Sequence, residues 1–363
     1  MGINHRLTGF GYTYLGAQED ERFAISGNAG HLDIIQALQW VRDNIEQFGG
    51  DPNNVTVFGQ SGGGGKITTL GGMPAARGLF HKAIIQSGSV LRIIEHHDAS
   101  LVTDVVFDRL QLKRGDVKKL QAVPAKTLFK CFDHAASEVV QKTNSNYTPL
   151  LMFGPTADGV SMPELAWRDK ASEQARDIPI FMGCNSHETA AFVGFGMYAP
   201  LKEDMAMANA CAKFAPLYNF SSDELVPIVR NYRELIPDLT DAEMLARIST
   251  DISFWEAALT QSDLLVARHG APVYMYECAW KTPCFRAQCA LHGVELPFIF
   301  NVQKCGTVWE FSRCDLLLPA QLRTLAVCPI HRIRHDECGH SIGSRIIHWS
   351  GVRGRKLQGQ VHG

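Results

Sequence analysis

Among 363 residues, one pentapeptide has the side chains and spacing to do chemistry. Gly59-Gln60-Ser61-Gly62-Gly63 fits G-x-S-x-G and directly follows the apolar run Val55 to Phe58. A serine on a sharp strand-to-helix turn is held clear of its neighbours and can act as a nucleophile. On this reading the flanking glycines relieve crowding, and the amide of Gly62 points where an oxyanion would form. The same glycine run could instead cradle a phosphate, which requires G-x-x-x-x-G-K-[ST]. That pattern fails at both ends: Gln60 stands five residues before Gly65, and Ile67, without a hydroxyl, follows Lys66. A dinucleotide fingerprint fails as well, because Gly59 and Ser61 give no G-x-G.

A serine nucleophile needs a base and a group that orients the base. On a mostly parallel sheet the order is serine, acid, histidine, each on a loop after a strand. Glu188 in "IPIFMGCNSHET" and His292 in "CALHGVELPFIF" meet that order after Ser61. The adjacent His187 is a competing base candidate. It adjoins the presumed acid in sequence, so it reads as a surface neighbour.

The elements that must hold these residues follow from periodicity. Ile34, Leu38, Val41, Ile45 and Phe48 recur at helical spacing and predict a helix over 33–48 with one apolar face. Gly49 and Pro52 stop it. Residues 55–58, 83–86, 178–183 and 272–278 read as buried strands, and 1–15 as the end of a strand entering a loop. A weak helix is expected after the glycine run. Residues 223–235 and 242–267 read as helices. The alternation predicts an α/β protein with a largely parallel sheet.

Composition excludes several functions. Net charge is −2 and charged residues make up 20%, so no nucleic-acid partner is expected. No apolar stretch approaches the roughly 18 residues that span a bilayer. Ten cysteines, six of them after Trp280, read as mostly free, buried thiols.

The assembled segments resemble the type B carboxylesterase family, the cholinesterase-like branch of the α/β-hydrolases. The likeness runs from Ile3 to Phe300 through "INHRLTGFGY", "GNAGHLDIIQALQWVRDNIEQFGGDPNNVTVFGQSGGG", "GLFHKAIIQSGS", "PTADGVSMP", "GCNSHET" and "LHGVELPFIF". It implies an α/β-hydrolase fold with a mostly parallel central sheet flanked by helices. It also implies hydrolysis of small-molecule carboxylic esters through an acyl-enzyme, with no cofactor and no metal. Ser61 would attack, His292 would act as base, Glu188 would orient it, and Gly62 would donate one oxyanion hydrogen bond. Ser87 would either support Glu188 from behind or only cap a turn at a strand end, while Asp33 and Arg42 would be structural. Gln60 stands where cholinesterases carry an acid, which argues against a cationic substrate.

The family begins upstream of Ile3 with an H-G-G-G loop, and no His-Gly-Gly occurs in this sequence. The chain is therefore expected to be an α/β-hydrolase incomplete at its N-terminus. The alternatives are a non-catalytic cholinesterase-like interaction protein and a non-functional fragment. A signal peptide could precede Met1, so location stays open, cytoplasmic by default; oligomeric state is not legible. Two regions are expected: a hydrolase domain over 1–301 and a divergent Cys/His/Arg-rich tail over 302–363. In the tail, Cys328, His331, His335, Cys338 and His340 have spacings near those of zinc ligands. One compact cluster lacks a second ligand pair, so a zinc site is not expected, and a shifted reading frame or a badly predicted exon would produce such a tail just as well.

Overall fold

The computed structural model describes residues 1–16, 21–91, 93–143, 152–163, 167, 171–193, 201–213, 220–280, 289–300 and 328–329. The Cys/His cluster of the tail, for which no zinc site is expected, lies outside them, apart from the backbone of Cys328.

The strands are β1 (Thr56–Gln60), β2 (Lys82–Gln86), β3 (Ile94–Glu95), β4 (Thr156–Ala157), β5 (Ile180–Asn185), β6 (Val273–Cys278) and β7 (Cys328–Pro329). The main sheet runs β1-β2-β5-β6-β7, and β3 pairs β4 separately. β1, β2, β5 and β6 are parallel, with Thr56 opposite Lys82, Ala83 opposite Ile180 and Ile180 opposite Val273. β7 alone runs antiparallel, pairing Pro329 with Tyr274. Parallel strands need helical crossovers that cover their faces, which is why β2 and β5 carry near-continuous apolar runs. Four aligned strands bring four carboxyl ends to one edge of the sheet, where sites of this architecture form.

The helix Ala29–Asn44 buries Ile34, Ile35 and Leu38 in a core shared with Ile85, Met182 and Met275. A single 3₁₀ turn, Ile45–Phe48, follows, and Gly49 closes it at φ 78°. That left-handed conformation is the one glycine adopts without cost. Phe48 departs from the expected apolar face. It is exposed, because the helix tightens at Ile45 and rotates it out of register.

A second core joins the helices Asp204–Ala212, Ser222–Leu235 and Asp241–Thr250. Two of them start with reciprocal capping boxes, Ser221 with Glu224 and Thr240 with Glu243. A third core packs His96–Arg109 on Ala125–Thr143. The expected helix over 242–267 is interrupted by a π-helical turn, Asp251–Trp255. The expected strand near the N-terminus is replaced by coil and one short helix, Thr8–Tyr12. Three glycines within that stretch, Gly2, Gly9 and Gly11, weaken a strand. Among the described residues, no helix is long and apolar enough to cross a membrane.

Candidate active site

The turn between β1 and the helix Gly62–Leu70 places Ser61 at φ 56°, ψ −123°. A non-glycine residue there is strained and persists only where its surroundings dictate it. The Ser61 amide donates to the Gln86 carbonyl at 2.8 Å, and the Ser61 carbonyl accepts from the Gly65 amide at 2.9 Å. Gly59 has a clear steric cause: a Cβ there would stand 2.6 Å from the carbonyl carbon of Gly63. Gly63 does not share it, since a Cβ at that position meets nothing within 4 Å. The second close approach is one residue on, where a Cβ on Gly88 would come within 2.5 Å of the Gly64 Cα. The helix after the serine thus leans on the turn after β2 through two bare backbones.

Glu188 sits on the loop after β5 and is fully buried. Its carboxylate accepts three hydrogen bonds: from Ser87 Oγ at 2.5 Å, from the Asn185 amide at 2.6 Å and from His292 Nδ1 at 2.6 Å. A buried carboxylate is tolerable when donors replace the water it lost. Ser87 comes from the end of β2 at φ 51°, a second strained serine beside the first. Hence Ser87, Glu188 and His292 meet, each delivered by a different strand end.

His292 is held on several sides. Beyond Glu188, the Phe254 ring lies 5.5 Å from the imidazole centroid, and Gln60 Nε2 lies 3.1 Å from His292 Nε2. Phe254 belongs to the π-helical turn, and such turns often mark functional sites. Its presence could not be read from a helical pattern that continues unbroken through it.

Asn185 is the residue that sequence reasoning missed. Fully buried, it donates its side-chain amide to the Leu291 carbonyl at 2.9 Å and to Glu295 Oε2 at 2.7 Å. Its own amide holds Glu188, so one residue ties the acid loop to the histidine loop. Gln86 reaches the same Glu295 carboxyl at 3.3 Å. Burial raises the Glu295 pKa above the usual carboxylate range, and the Asn185 hydrogen bond opposes that. The signal was the spacing of Glu295, three residues past His292, in the quoted segment.

His187 is corrected by the structure. It is buried rather than at the surface. Its amide donates to the Ala290 carbonyl at 3.0 Å and its Nδ1 meets Ser186 Oγ at 2.8 Å. Packing against the histidine loop, not solvent, explains its place. Thr189 fixes the far side of the acid loop. Its Oγ1 donates to the Ala246 carbonyl at 2.9 Å, and its amide donates to Thr250 Oγ1 at 3.2 Å. Below the loop, Arg247 is clamped between Asp251 at 3.2 Å and Glu277 at 2.6 Å.

Cys184 precedes Asn185 in the chain. Burial, then Glu188 and other nearby carboxylates, pushes its thiol well above its ordinary range. The five cysteines resolved as free thiols, 131, 184, 211, 278 and 289, are all buried. Among the described residues, no group of His, Cys, Asp and Glu is arranged to hold a metal. Asp33 pairs with Arg6 at 2.6 Å, and Arg42 pairs with its neighbour Asp43 at the surface.

Chemically, this arrangement offers an aligned carboxylate–imidazole pair that touches Gln60, the residue just before a strained serine. The description "Carboxylesterase family" matches residues 1–324. Para-nitrobenzyl esterase of Bacillus subtilis is 33% identical over 301 residues, which cover 82% of this chain and 56% of that protein. Human cocaine esterase is 29% identical, with 85% of this chain and 54% of that protein covered. Among solved structures, the Geobacillus stearothermophilus carboxylesterase EST55 superimposes with a TM-score of 0.64 at 29% identity. It covers 85% of this chain and 60% of that one. The chain thus spans about half the length of the curated relatives it matches. With the family match running through 324 of its 363 residues and the parallel sheet of an α/β-hydrolase beneath the site, the chain belongs to the carboxylesterase family.

Proposed function

We propose that the chain is a serine carboxylesterase that cleaves small carboxylic esters through an acyl-enzyme. Ser61 is the nucleophile, His292 the base and later the acid, and Glu188 the group that orients the imidazole. The observation that carries this reading is the 2.6 Å contact between His292 Nδ1 and Glu188 Oε2, together with Nε2 turned to the residue that precedes Ser61. A carboxylate can only accept, so Nδ1 holds the proton and Nε2 faces the serine turn as an acceptor.

Ser61 Oγ attacks the ester carbonyl carbon while its proton passes to His292 Nε2. The carbonyl oxygen takes the negative charge, and the Gly62 amide donates to it. His292 then protonates the leaving alcohol, and water repeats the sequence on the acyl-serine. Ser87 and Asn185 hold Glu188 still by hydrogen bonds, so the imidazolium meets a partner that does not have to move. The name of the Bacillus relative points to aryl esters of modest size, and the neutral Gln60 suits uncharged alcohols.

Hydrolysis of p-nitrophenyl acetate and butyrate by the purified chain tests the proposal. Turnover that vanishes in Ser61→Ala supports it. Turnover that survives Ser61→Ala, or its absence in a folded wild type, refutes it.

A further inference from the structure

The side chain that precedes the nucleophile lies against the atom on which the base works. Gln60 Nε2 is 3.1 Å from His292 Nε2, and a Cβ on Gly293 would stand 3.7 Å from the same amide nitrogen. The carboxamide is therefore lodged against the histidine loop as well as the ring. With Nδ1 donating to Glu188, neutral imidazole keeps one lone pair, on Nε2. The Gln60 N–H donates into that lone pair. It is the same lone pair that must receive the Ser61 proton.

We propose that Gln60 is a positioning residue that tunes the protonation of the His292 base. The proposal rests on the serine-esterase reading. In the resting site its N–H favours the neutral ring and holds Nε2 toward the serine turn. When Ser61 Oγ bonds to the carbonyl carbon, the C=O π pair moves onto oxygen and the hydroxyl proton moves to Nε2. An N–H cannot donate to N–H, so the carboxamide must turn its Oε1 to the ring or withdraw. The Nε2 proton then leaves with the alcohol oxygen as the C–O bond breaks, and the first hydrogen bond re-forms. A carboxamide serves both states because it has a donor and an acceptor. A carboxylate at this position would serve only the charged ring.

Among the described residues, the other groups around the ring are fixed. Glu188 faces it from the acid loop, and Glu295 lies one turn along its own segment. From the π-helical turn comes the Phe254 ring, while Asp251 on that turn is engaged by Arg247. Lys66 is the one charged residue of the helix after Ser61, and its ammonium donates to the Gly62 carbonyl at 3.1 Å. β5 carries no charged residue, and Glu277 of β6 is paired with Arg247. Position 60 is thus where a single substitution adds charge next to Nε2 without breaking an existing ion pair.

The test is the pH dependence of kcat/KM on p-nitrophenyl acetate in wild type, Gln60→Glu and Gln60→Leu. The reaction needs a neutral base, so activity falls on the acid side. A carboxylate beside the ring favours its charged form, and the acid limb in Gln60→Glu moves to higher pH by about one unit or more. Gln60→Leu only removes the donor to the neutral ring, so its limb moves the same way by less. A purely structural role would lower the yield of folded enzyme and leave both limbs in place. Unmoved limbs in both variants, or a limb at lower pH in Gln60→Glu, overturn the proposal. A second readout needs no turnover: the ¹⁵N resonance of His292 Nε2, assigned by its loss in His292→Gln. It must differ between wild type and Gln60→Leu when the ring is neutral, and an identical resonance overturns the contact. A folded wild type without ester turnover but with that difference would instead refute the esterase reading.

Discussion

The two halves of the candidate site are held in place by different means. On the acid side, Glu188 is fully buried, takes three hydrogen bonds and lies on a loop tied to two neighbouring segments through Asn185 and Thr189. On the nucleophile side, β1 has a strand partner on one flank only among the described residues, Phe58 on it is 52% exposed, and Gly62 is exposed. Among the described residues, nothing comparable to the Glu188 network grips Ser61 by its side chain; backbone angles and two close glycine contacts set its position. A charged group must be positioned by hydrogen bonds, because they also offset the cost of burying it. A neutral hydroxyl needs only a direction, which a strained turn supplies.

The contrast can be broken from the acid side first. Glu188→Gln keeps the shape but offers Nδ1 an amide, so the imidazole loses its oriented tautomer. A fall in kcat of roughly ten-thousand-fold is expected, with folding retained by thermal melt. A loss under ten-fold would mean that Glu188 is not the orienting acid. Ser87→Ala removes one of its three donors. A hydrogen bond to a charged group is worth about 1.5–3 kcal/mol, so kcat should drop about ten- to a hundred-fold with KM little changed. A change confined to KM would place Ser87 against substrate instead.

The nucleophile side should respond to bulk, not charge. Gly59→Ala drives a methyl into the Gly63 carbonyl and is expected to destabilise by about 1–3 kcal/mol, read in denaturant melts. Gly63→Ala meets open space and replaces a helical glycine, so stability should hold or rise by about 0.5 kcal/mol. Equal losses in both would show that crowding is not what sets the turn.

A smaller effect concerns pH. His31, buried beside Tyr12, has its pKa lowered to about 3 by burial. The unfolded chain's histidine takes a proton near pH 6.5 while the folded one does not. Its contribution is present above that pH and is lost as pH falls from about 6.5 toward 3. His31→Gln should flatten that part of the stability curve, and an unchanged slope would rule the residue out as its source.

Local pattern carried much of this into view beforehand. The helix that precedes β1 was legible because Ile34, Leu38 and Val41 recur at its period, and β2, β5 and β6 because β-branched and apolar runs sit between turn signals. Ser61, Glu188 and His292 could be named from order and context. What escaped depends on contacts between distant segments. Asn185 and Glu295 meet across 110 positions, which no periodicity encodes. The π-helical turn adds one residue to a helix whose pattern looks continuous. His187 is polar and next to a loop, yet the histidine loop folds over it. Gly63 looked like its twin Gly59 because a motif records residue types and not the space around them.

The central claim is that Ser61 is activated by His292 and Glu188. The most direct measurement is covalent labelling of the intact chain with a fluorophosphonate, followed by mass spectrometry of its peptides. One adduct per chain is expected, on the peptide that contains Ser61, formed in wild type and absent or slowed more than a thousand-fold in His292→Gln, since the two residues act as a unit. An adduct on another residue, or labelling of Ser61 at the same rate without His292, would contradict it.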